Sequence, residues 1–430
     1  MSTITIDSVV AASPSGTSLR GHLDSPIAGV TQGAVLAVAG WVISSSVPVV
    51  SVLVVDGARL TKEGVVDVPR DDLAGEGPVP VAGFHVNISV LDLPPEFTCT
   101  VFARLADGII LELGNFRGSR DRLAGPSPEM LQPLLVTCLG RTGSTWLMRL
   151  ASCHPQIVGY RPFNHEARVG SYWAAVFASL SSVDSISQLL DPPDVQRPLW
   201  WTGLESKHKF LSVETEEWAI DDHVHSLAKF CRSRIESFYR RVATADTTAV
   251  YFAEKYVPGV ASMPLRELYP DLRELILVRD FRDMAASVLA FNSKRGYQAF
   301  GRQDVASDED YVREIVVEIA RQLLAHWEEH RDTAVLVRYE DLVSRPATEL
   351  KRIFAEIALQ ADPQTVSEVM DAARRQIPAM EFHRTSSDPA SSIGRWRDLP
   401  PALAALVNTQ ELRDLLREFG YDVETLTASP

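Results

Sequence analysis

The amino-acid sequence predicts an α/β fold in which a P-loop-like parallel sheet is preceded by an all-β sandwich domain. Three observations carry that reading. From Leu134 onward, apolar strand-like runs alternate with helical patterns, the order that builds a parallel sheet. Before that, from residue 19 to about 118, the runs are short, alternating or apolar, and broken by Gly, Pro, Asp and Ser, with no helical period of useful length. Where the second texture begins, LLVTCLGRTGSTWLMRLASCHP (Leu134 to Pro155) passes from an apolar strand through a small, hydroxyl-rich loop into a helical pattern that opens at about Thr145.

In the first part, Val35–Ile43, Val47–Val55, Gly83–Val90, Thr98–Leu105 and Ile109–Leu113 read as strands, with Asp56-Gly57 and Asp107-Gly108 as hairpin turns. A sandwich of seven or eight strands is expected. Its aromatics, Trp41, Phe84, Phe102 and Phe116, read as core in preference to a carbohydrate-binding face. The sandwich is expected to occupy residues 1–122, and a polar, Pro-rich linker, 123–133, leads to the α/β domain, 134–430. There, strands are expected at 134–139, 156–160, 249–253, 274–279 and 334–338. Helices are expected at 145–153, 222–243, 280–291, 308–330, 346–357 and 364–374.

A chain of 430 residues is too long for one core of typical size. Apolar content of 46% and charged content of 23% are ordinary for a folded protein. No apolar run reaches the length of a membrane span, and the N-terminus lacks the basic and apolar regions of a signal peptide. Cys99, Cys138, Cys153 and Cys231 lie far apart and read as buried free thiols, which suits a cytoplasmic location. A net charge of −14 without a basic stripe argues against a nucleic-acid partner. An anionic ligand would therefore need cations concentrated locally. The histidines show no metal-ligand spacing with cysteine, so no metal is expected. The sequence is compatible with a homo-oligomer.

The loop after the Leu134 strand leaves backbone N–H groups at a helix N-terminus, where the dipole favours an anion. Gly140 and Gly143 let the backbone turn sharply there, and Arg141 supplies one cation. The loop is not a Walker A, because Gly143 is followed by Ser144 and Thr145 with no lysine between. Leu275 to Asn292, LILVRDFRDMAASVLAFN, repeats the grammar: a strand, then Arg279, then a helix carrying Ser287 eight residues on. Arg279 and Ser287 can point the same way and form a second anion site.

These two segments resemble the nucleotide-binding signatures of sulfotransferases that use 3′-phosphoadenosine 5′-phosphosulfate (PAPS). VRYEDLVSRP (Val337 to Pro346) and SSIGRWR (Ser391 to Arg397) resemble two further motifs of that family, in the family's order. The Arg in the first loop resembles the bacterial, carbohydrate-type branch. The resemblance implies that Arg141, Thr142, Gly143, Ser144, Thr145 and Trp146 hold the 5′-phosphosulfate, with the Trp146 ring against adenine. It implies that Arg279 and Ser287 take the 3′-phosphate and that Tyr339 meets the base edge. Ser391, Ser392, Gly394, Arg395 and Trp396 would close over the 3′-phosphate. The family's Arg-Lys-Gly run is replaced here by DPASSIGRW, so the serines and Arg395 would substitute, with His383 or Arg384 contributing.

Sulfuryl transfer needs a nucleotide clamp, a cation near the bridging oxygen and a base for the acceptor hydroxyl. Arg141 is the expected cation, and Lys255 either assists it or pairs with Glu254. In VGYRPFNHEAR, Glu166 matches the family's base by position, and the adjacent His165 is the competing candidate. The co-substrate would be PAPS and the product 3′-phosphoadenosine 5′-phosphate (PAP), with a carbohydrate or small-molecule hydroxyl as acceptor. Two other readings compete: a P-loop kinase or NTPase, and a non-catalytic glycan-binding scaffold.

Overall fold

A computed structural model describes residues 2–11, 19–33, 35–44, 47–57, 59–70, 82–123, 130–160, 167–181, 222–243, 248–259, 262–375 and 390–423. The chain divides into two compact units, residues 1–125 with 174–232, and residues 126–173 with 233–430.

The first unit is built on nine antiparallel strands: β1 (Ser2–Ala11), β2 (Leu19–Ser25), β3 (Gly29–Gly33), β4 (Val35–Ser44), β5 (Val49–Asp56), β6 (Arg59–Pro69), β7 (Ala82–Ser89), β8 (Glu96–Leu105) and β9 (Ile110–Arg120). They form one continuous ladder in the order β2-β4-β7-β6-β5-β8-β9-β1-β3. The long strand β6 turns the ladder over: its first part pairs with β5 and its last, Val66 to Pro69, with β7. The two halves thus share one core, in which Leu23, Val38, Val54, Val86, Val101 and Phe116 are buried together. Strand β8 shows the period-two cause, since every second residue from Phe97 to Leu105 faces inward.

Nine strands replace the expected seven or eight. Strands β1, β2, β3 and β6 are not among the runs expected from the sequence, and β1 lies ahead of residue 19, where the β texture begins. Pairing of β1 with both β3 and β9 makes strands of segments whose own pattern is weak. Phe84 and Phe116 are core residues, whereas Trp41 and Phe102 are only half-buried.

The second unit carries a five-stranded sheet, β10 (Gln132–Cys138), β11 (Ile157–Val158), β12 (Tyr251–Tyr256), β13 (Arg273–Val278) and β14 (Ala334–Arg338). Every pair is parallel, in the order β11-β12-β10-β13-β14. The second expected strand shrinks to two residues. The helices are α1 (Ser144–Cys153), α2 (Val169–Ser181), α3 (His225–Val242), α4 (Met263–Leu268), α5 (Phe281–Arg295), α6 (Val317–His330), α7 (Tyr339–Ser344), α8 (Pro346–Glu356), α9 (Pro363–Arg374), α10 (Pro401–Val407) and α11 (Gln410–Glu418). Among the described residues, no helix is long and apolar enough to cross a membrane.

Alternation in β13 explains the layering. Leu275 and Leu277 pack into a core with α1, α8 and α9, while Ile276 and Val278 face a second core with α5, α6, α10 and α11. A sheet covered on both faces brings the carboxyl ends of β10, β13 and β14 to one edge, where ligands bind in such sheets. Cys99, Cys138 and Cys231 are buried free thiols, but Cys153 is half-exposed.

Buried ions tie the elements at and below that edge. Arg282, with no exposure, donates to Asp280 through Nη2 (2.7 Å) and Nε (2.9 Å), and to Asn408 Oδ1 (3.0 Å). Glu340 accepts the Asp280 N–H (3.0 Å) and the Tyr421 hydroxyl (2.7 Å). At the other end of β13, Glu274 is bound by Thr137, Arg266 and His326. Burial raises the Glu274 carboxyl, but these partners outweigh it and hold it at about 2.

Burial pushes the Glu340 carboxyl up to about 7 from an ordinary 4.5. The folded state therefore retains a proton that the unfolded chain has released, so the stability this group contributes is full below pH 4.5 and is lost as pH rises through 7. Glu340→Gln keeps an acceptor for the Asp280 N–H and removes the titration. Thermal unfolding from pH 5 to pH 8 is expected to shift in the variant's favour, relative to the wild type, by a few degrees. A difference between the two proteins that does not change with pH would refute the assignment.

Candidate active site

The loop after β10 is a cradle shaped by its own packing. Gly143 caps α1 in the left-handed conformation, with φ 92°. The helical ladder begins at Trp146 and Leu147, whose N–H groups both donate to the Gly143 carbonyl (2.9 and 3.2 Å). The N–H groups of Gly143, Ser144 and Thr145 precede that ladder, and the first turn of α1 holds no acidic side chain to answer its dipole. A Cβ on Gly143 would overlap the Tyr339 ring, so glycine is required by contact as well as by backbone. Thr142 is fully buried, and its hydroxyl donates to the Leu139 carbonyl (2.9 Å), so it braces the loop from within.

Arg141 adopts a positive φ of 64°, which is costly for a long side chain. Arg279 Nη1 donates to its carbonyl (3.1 Å) and helps to hold that conformation. The Arg141 guanidinium lies over the Phe291 ring at 4.7 Å, and Arg295 lies 5.5 Å from the same ring. Burial, then Arg279, with smaller effects from Arg395 and Arg295, push the Arg141 guanidinium down to about 10. It is still charged at neutral pH. Arg279, Arg395 and Arg295 thus lie within electrostatic reach of Arg141.

Arg279 is almost fully buried. Its Nη2 donates to the Ser392 carbonyl (2.8 Å), and its plane stacks on Tyr339 at 4.7 Å. Its Nε, also buried, meets no acceptor among the described residues. A cation so placed fits a phosphate oxygen. The Tyr339 hydroxyl and Ser392 Oγ are 3.1 Å apart. Ser392 belongs to a short helical turn, Ala390–Ser392, followed by Gly394 at φ 78° and the turn Arg395–Asp398. Asp283 anchors this segment, accepting the N–H groups of Gly394 (2.7 Å) and Trp396 (2.9 Å). Trp396 is pinned between Arg282 (4.7 Å) and Arg397 (4.9 Å).

The structure thus brings together Arg141, Gly143, Arg279, Tyr339, Ser392 and Arg395, which are dispersed over more than 250 residues of sequence. Ser144 opens α1 and is buried, and Thr145 is half-exposed behind it. Trp146 packs in part against the α1 core. Ser287 is buried on α5, two turns beyond Arg279. Ser391 and Gly394 lie in the segment that Asp283 anchors. Glu166, His165, His383 and Arg384 fall outside the described residues. Glu254, weighed as a partner of Lys255, instead accepts the N–H groups of Gly170 (2.6 Å) and Ser171 (3.0 Å) at the start of α2, together with the Tyr239 hydroxyl.

Sequence reasoning missed Asp283, Glu340 and Phe291. The first two sit inside recognised motifs, RDFRD and YED, but their partners are distant in sequence. It also missed the approach of Glu274, His326 and His330, whose ligand-type atoms lie within 4.8 Å of one another. Arg266 and Thr137 already engage that carboxylate, the pattern of a neutralised buried ion more than of a metal cage.

Gly143→Ala is expected to close the cradle against Tyr339. Sulfate or phosphate at millimolar concentration should raise the wild-type melting temperature and leave the variant's unchanged. An equal rise in both would show that the anions bind elsewhere.

The sequence profile described as the Sulfotransferase family matches residues 133–363. No curated protein matches the sequence significantly. Among solved structures, the sulfotransferase domain of the Synechococcus PCC 7002 olefin synthase shares 17% identity, over 70% of this chain and 98% of that one, with a TM-score of 0.38. The sulfotransferase domain from the curacin biosynthetic pathway shares 15%, over 69% and 99%, with a TM-score of 0.38. The mouse sulfotransferase SULT7A1, solved in complex with PAP, shares 11%, over 66% and 88%, with a TM-score of 0.34.

Proposed function

The chain belongs to the sulfotransferase family, and from that premise we propose that it moves a sulfuryl group from PAPS to a hydroxyl of a carbohydrate or other small-molecule acceptor, releasing PAP. One observation carries the reading: two cationic positions meet at one sheet edge. The first is Arg141 with the N-terminus of α1. The second is Arg279, whose buried Nε meets no acceptor among the described residues, beside the anchored Ser392 segment. PAPS carries two anionic groups, and these positions suit its 5′-phosphosulfate and its 3′-phosphate respectively.

In the proposed reaction the acceptor oxygen attacks sulfur as the bond from sulfur to the 5′-phosphate oxygen breaks. Charge accumulates on that departing oxygen. Arg141, the α1 dipole and the loop N–H groups are fixed in advance to stabilise it. An arginine is a poor proton donor, so its part is electrostatic. The acceptor's proton passes to a base, for which Glu166 is proposed on its position after β11, with His165 the alternative.

The kinase reading is disfavoured by the acids that follow the strands. Asp280, after β13, is held by Arg282, and Glu340, after β14, is held by Tyr421 and the Asp280 N–H. Neither is presented to a nucleotide-bound magnesium. The burial of Phe84 and Phe116 in the β core removes two of the four aromatics on which a glycan-binding face would rest.

Arg141→Ala is expected to lower the PAP-releasing rate by about 10³-fold, measured with PAPS and a panel of hydroxyl acceptors. Glu166→Ala should lose turnover and still bind PAPS; if it keeps most of its rate, the base is His165 and His165→Ala should be inactive. Arg279→Ala should weaken PAP at least about tenfold, the worth of a charged hydrogen bond, and leave AMP nearly unchanged. Equal weakening of both nucleotides would remove Arg279 from the 3′-phosphate.

A further inference from the structure

Asp283 occupies the third position of α5, where an acidic side chain ordinarily reaches back to the N–H of the helix cap. Here that N–H, on Asp280, is already taken by Glu340 Oε1 at 3.0 Å. Asp280 itself caps the helix, accepting the Arg282 N–H at 2.9 Å. The Asp283 carboxylate is therefore released from local duty. It spans 111 residues to accept the Gly394 N–H on one oxygen (2.7 Å) and 113 to accept the Trp396 N–H on the other (2.9 Å). Its side chain is buried. Burial and neighbouring Asp280 push its carboxyl up to about 6, against the pull of those two N–H groups and Arg279.

The segment it grips leads directly to the anion site. Two residues before Gly394, the Ser392 carbonyl accepts from Arg279 Nη2 (2.8 Å), and Ser392 Oγ meets the Tyr339 hydroxyl (3.1 Å). Arg279 also stacks on Tyr339 and donates to the Arg141 carbonyl (3.1 Å). These three restraints aim its guanidinium, and one of them is delivered by the segment that Asp283 holds.

We propose that Asp283 is a positioning residue that latches the Ser391–Arg397 segment to α5 and thereby orients Arg279, giving the site its preference for a nucleotide with a 3′-phosphate. Because the latch is made of contacts within the chain, it carries the ordering cost of the segment separately from nucleotide binding. The proposal rests on the nucleotide assignment made above, and its test separates the two.

Asp283→Asn retains the size of the side chain but can present only one carbonyl oxygen to two N–H groups. In the nucleotide-free protein, hydrogen exchange at the Gly394 and Trp396 amides is expected to accelerate at least about tenfold, while amides in β10 and β13 stay protected. By calorimetry, PAP should weaken about tenfold and AMP less than twofold. Asp283→Glu, which restores a carboxylate, should recover part of both effects. Should Asp283→Asn fail to fold, Gly394→Ala disturbs the same segment from its other side, where the new methyl meets the Arg397 guanidinium at a φ of 78°; the same paired effects are then expected. Unchanged exchange at the two amides overturns the latch whatever the nucleotide result. Faster exchange with equal loss of PAP and AMP overturns its role in selectivity. Wild-type protein that binds PAP no more tightly than AMP overturns the nucleotide assignment itself, and the selectivity role with it.

Discussion

Burial of the Arg141 guanidinium beside other cations at the carboxyl edge of the parallel sheet is the constraint that organises this site. Burial first, then Arg279, Arg395 and Arg295, lower that guanidinium to about 10. Contacts must therefore fix these groups in place. The protein uses ring faces and carbonyl oxygens: Phe291 beneath Arg141, Tyr339 beneath Arg279, and the Arg141 and Ser392 carbonyls on Arg279. These partners orient the two guanidinium groups. In a chain of net charge −14, that local concentration is what an anionic substrate would meet.

The carboxylates nearby follow the complementary rule. Asp280, Asp283 and Glu340 are buried, and each is committed to a structural partner: Arg282 for the first, the Gly394 and Trp396 amides for the second, Tyr421 and the Asp280 amide for the third. They bind backbone amides, a buried cation and a tyrosine hydroxyl in place of solvent. The raised values of Asp283 and Glu340 are the electrostatic cost of that placement.

Much of the α/β unit was legible because the physics that forms it is local. A strand covered on both faces reads as a continuous apolar run, and a strand followed by a small-residue loop and a helix reads as an anion cradle. Arg141, Gly143 and Arg279 could therefore be singled out from their own segments, whereas Tyr339 and Gly394 were named only through the family resemblance. Strands β1 and β3 were not legible, because their strand character comes from pairing with each other and, for β1, with β9. Asp283 was not legible either: a motif acid in the first turn of a helix reads as a cap, and only the occupation of the cap by Glu340 redirects it.

The sequence by itself determined the class of the α/β unit and the order of its elements, since each depends on residue pattern within about twenty positions. The tertiary structure decided how those segments meet: that Tyr339 underlies Gly143 and Arg279, that Thr142 turns inward, and that Asp283 joins α5 to a turn more than a hundred residues away. Such contacts arise only when parallel strands bring their carboxyl ends to one edge, and no periodicity in the chain encodes that meeting. The physical reason is that a buried carboxylate is satisfied by whichever donor the fold places beside it.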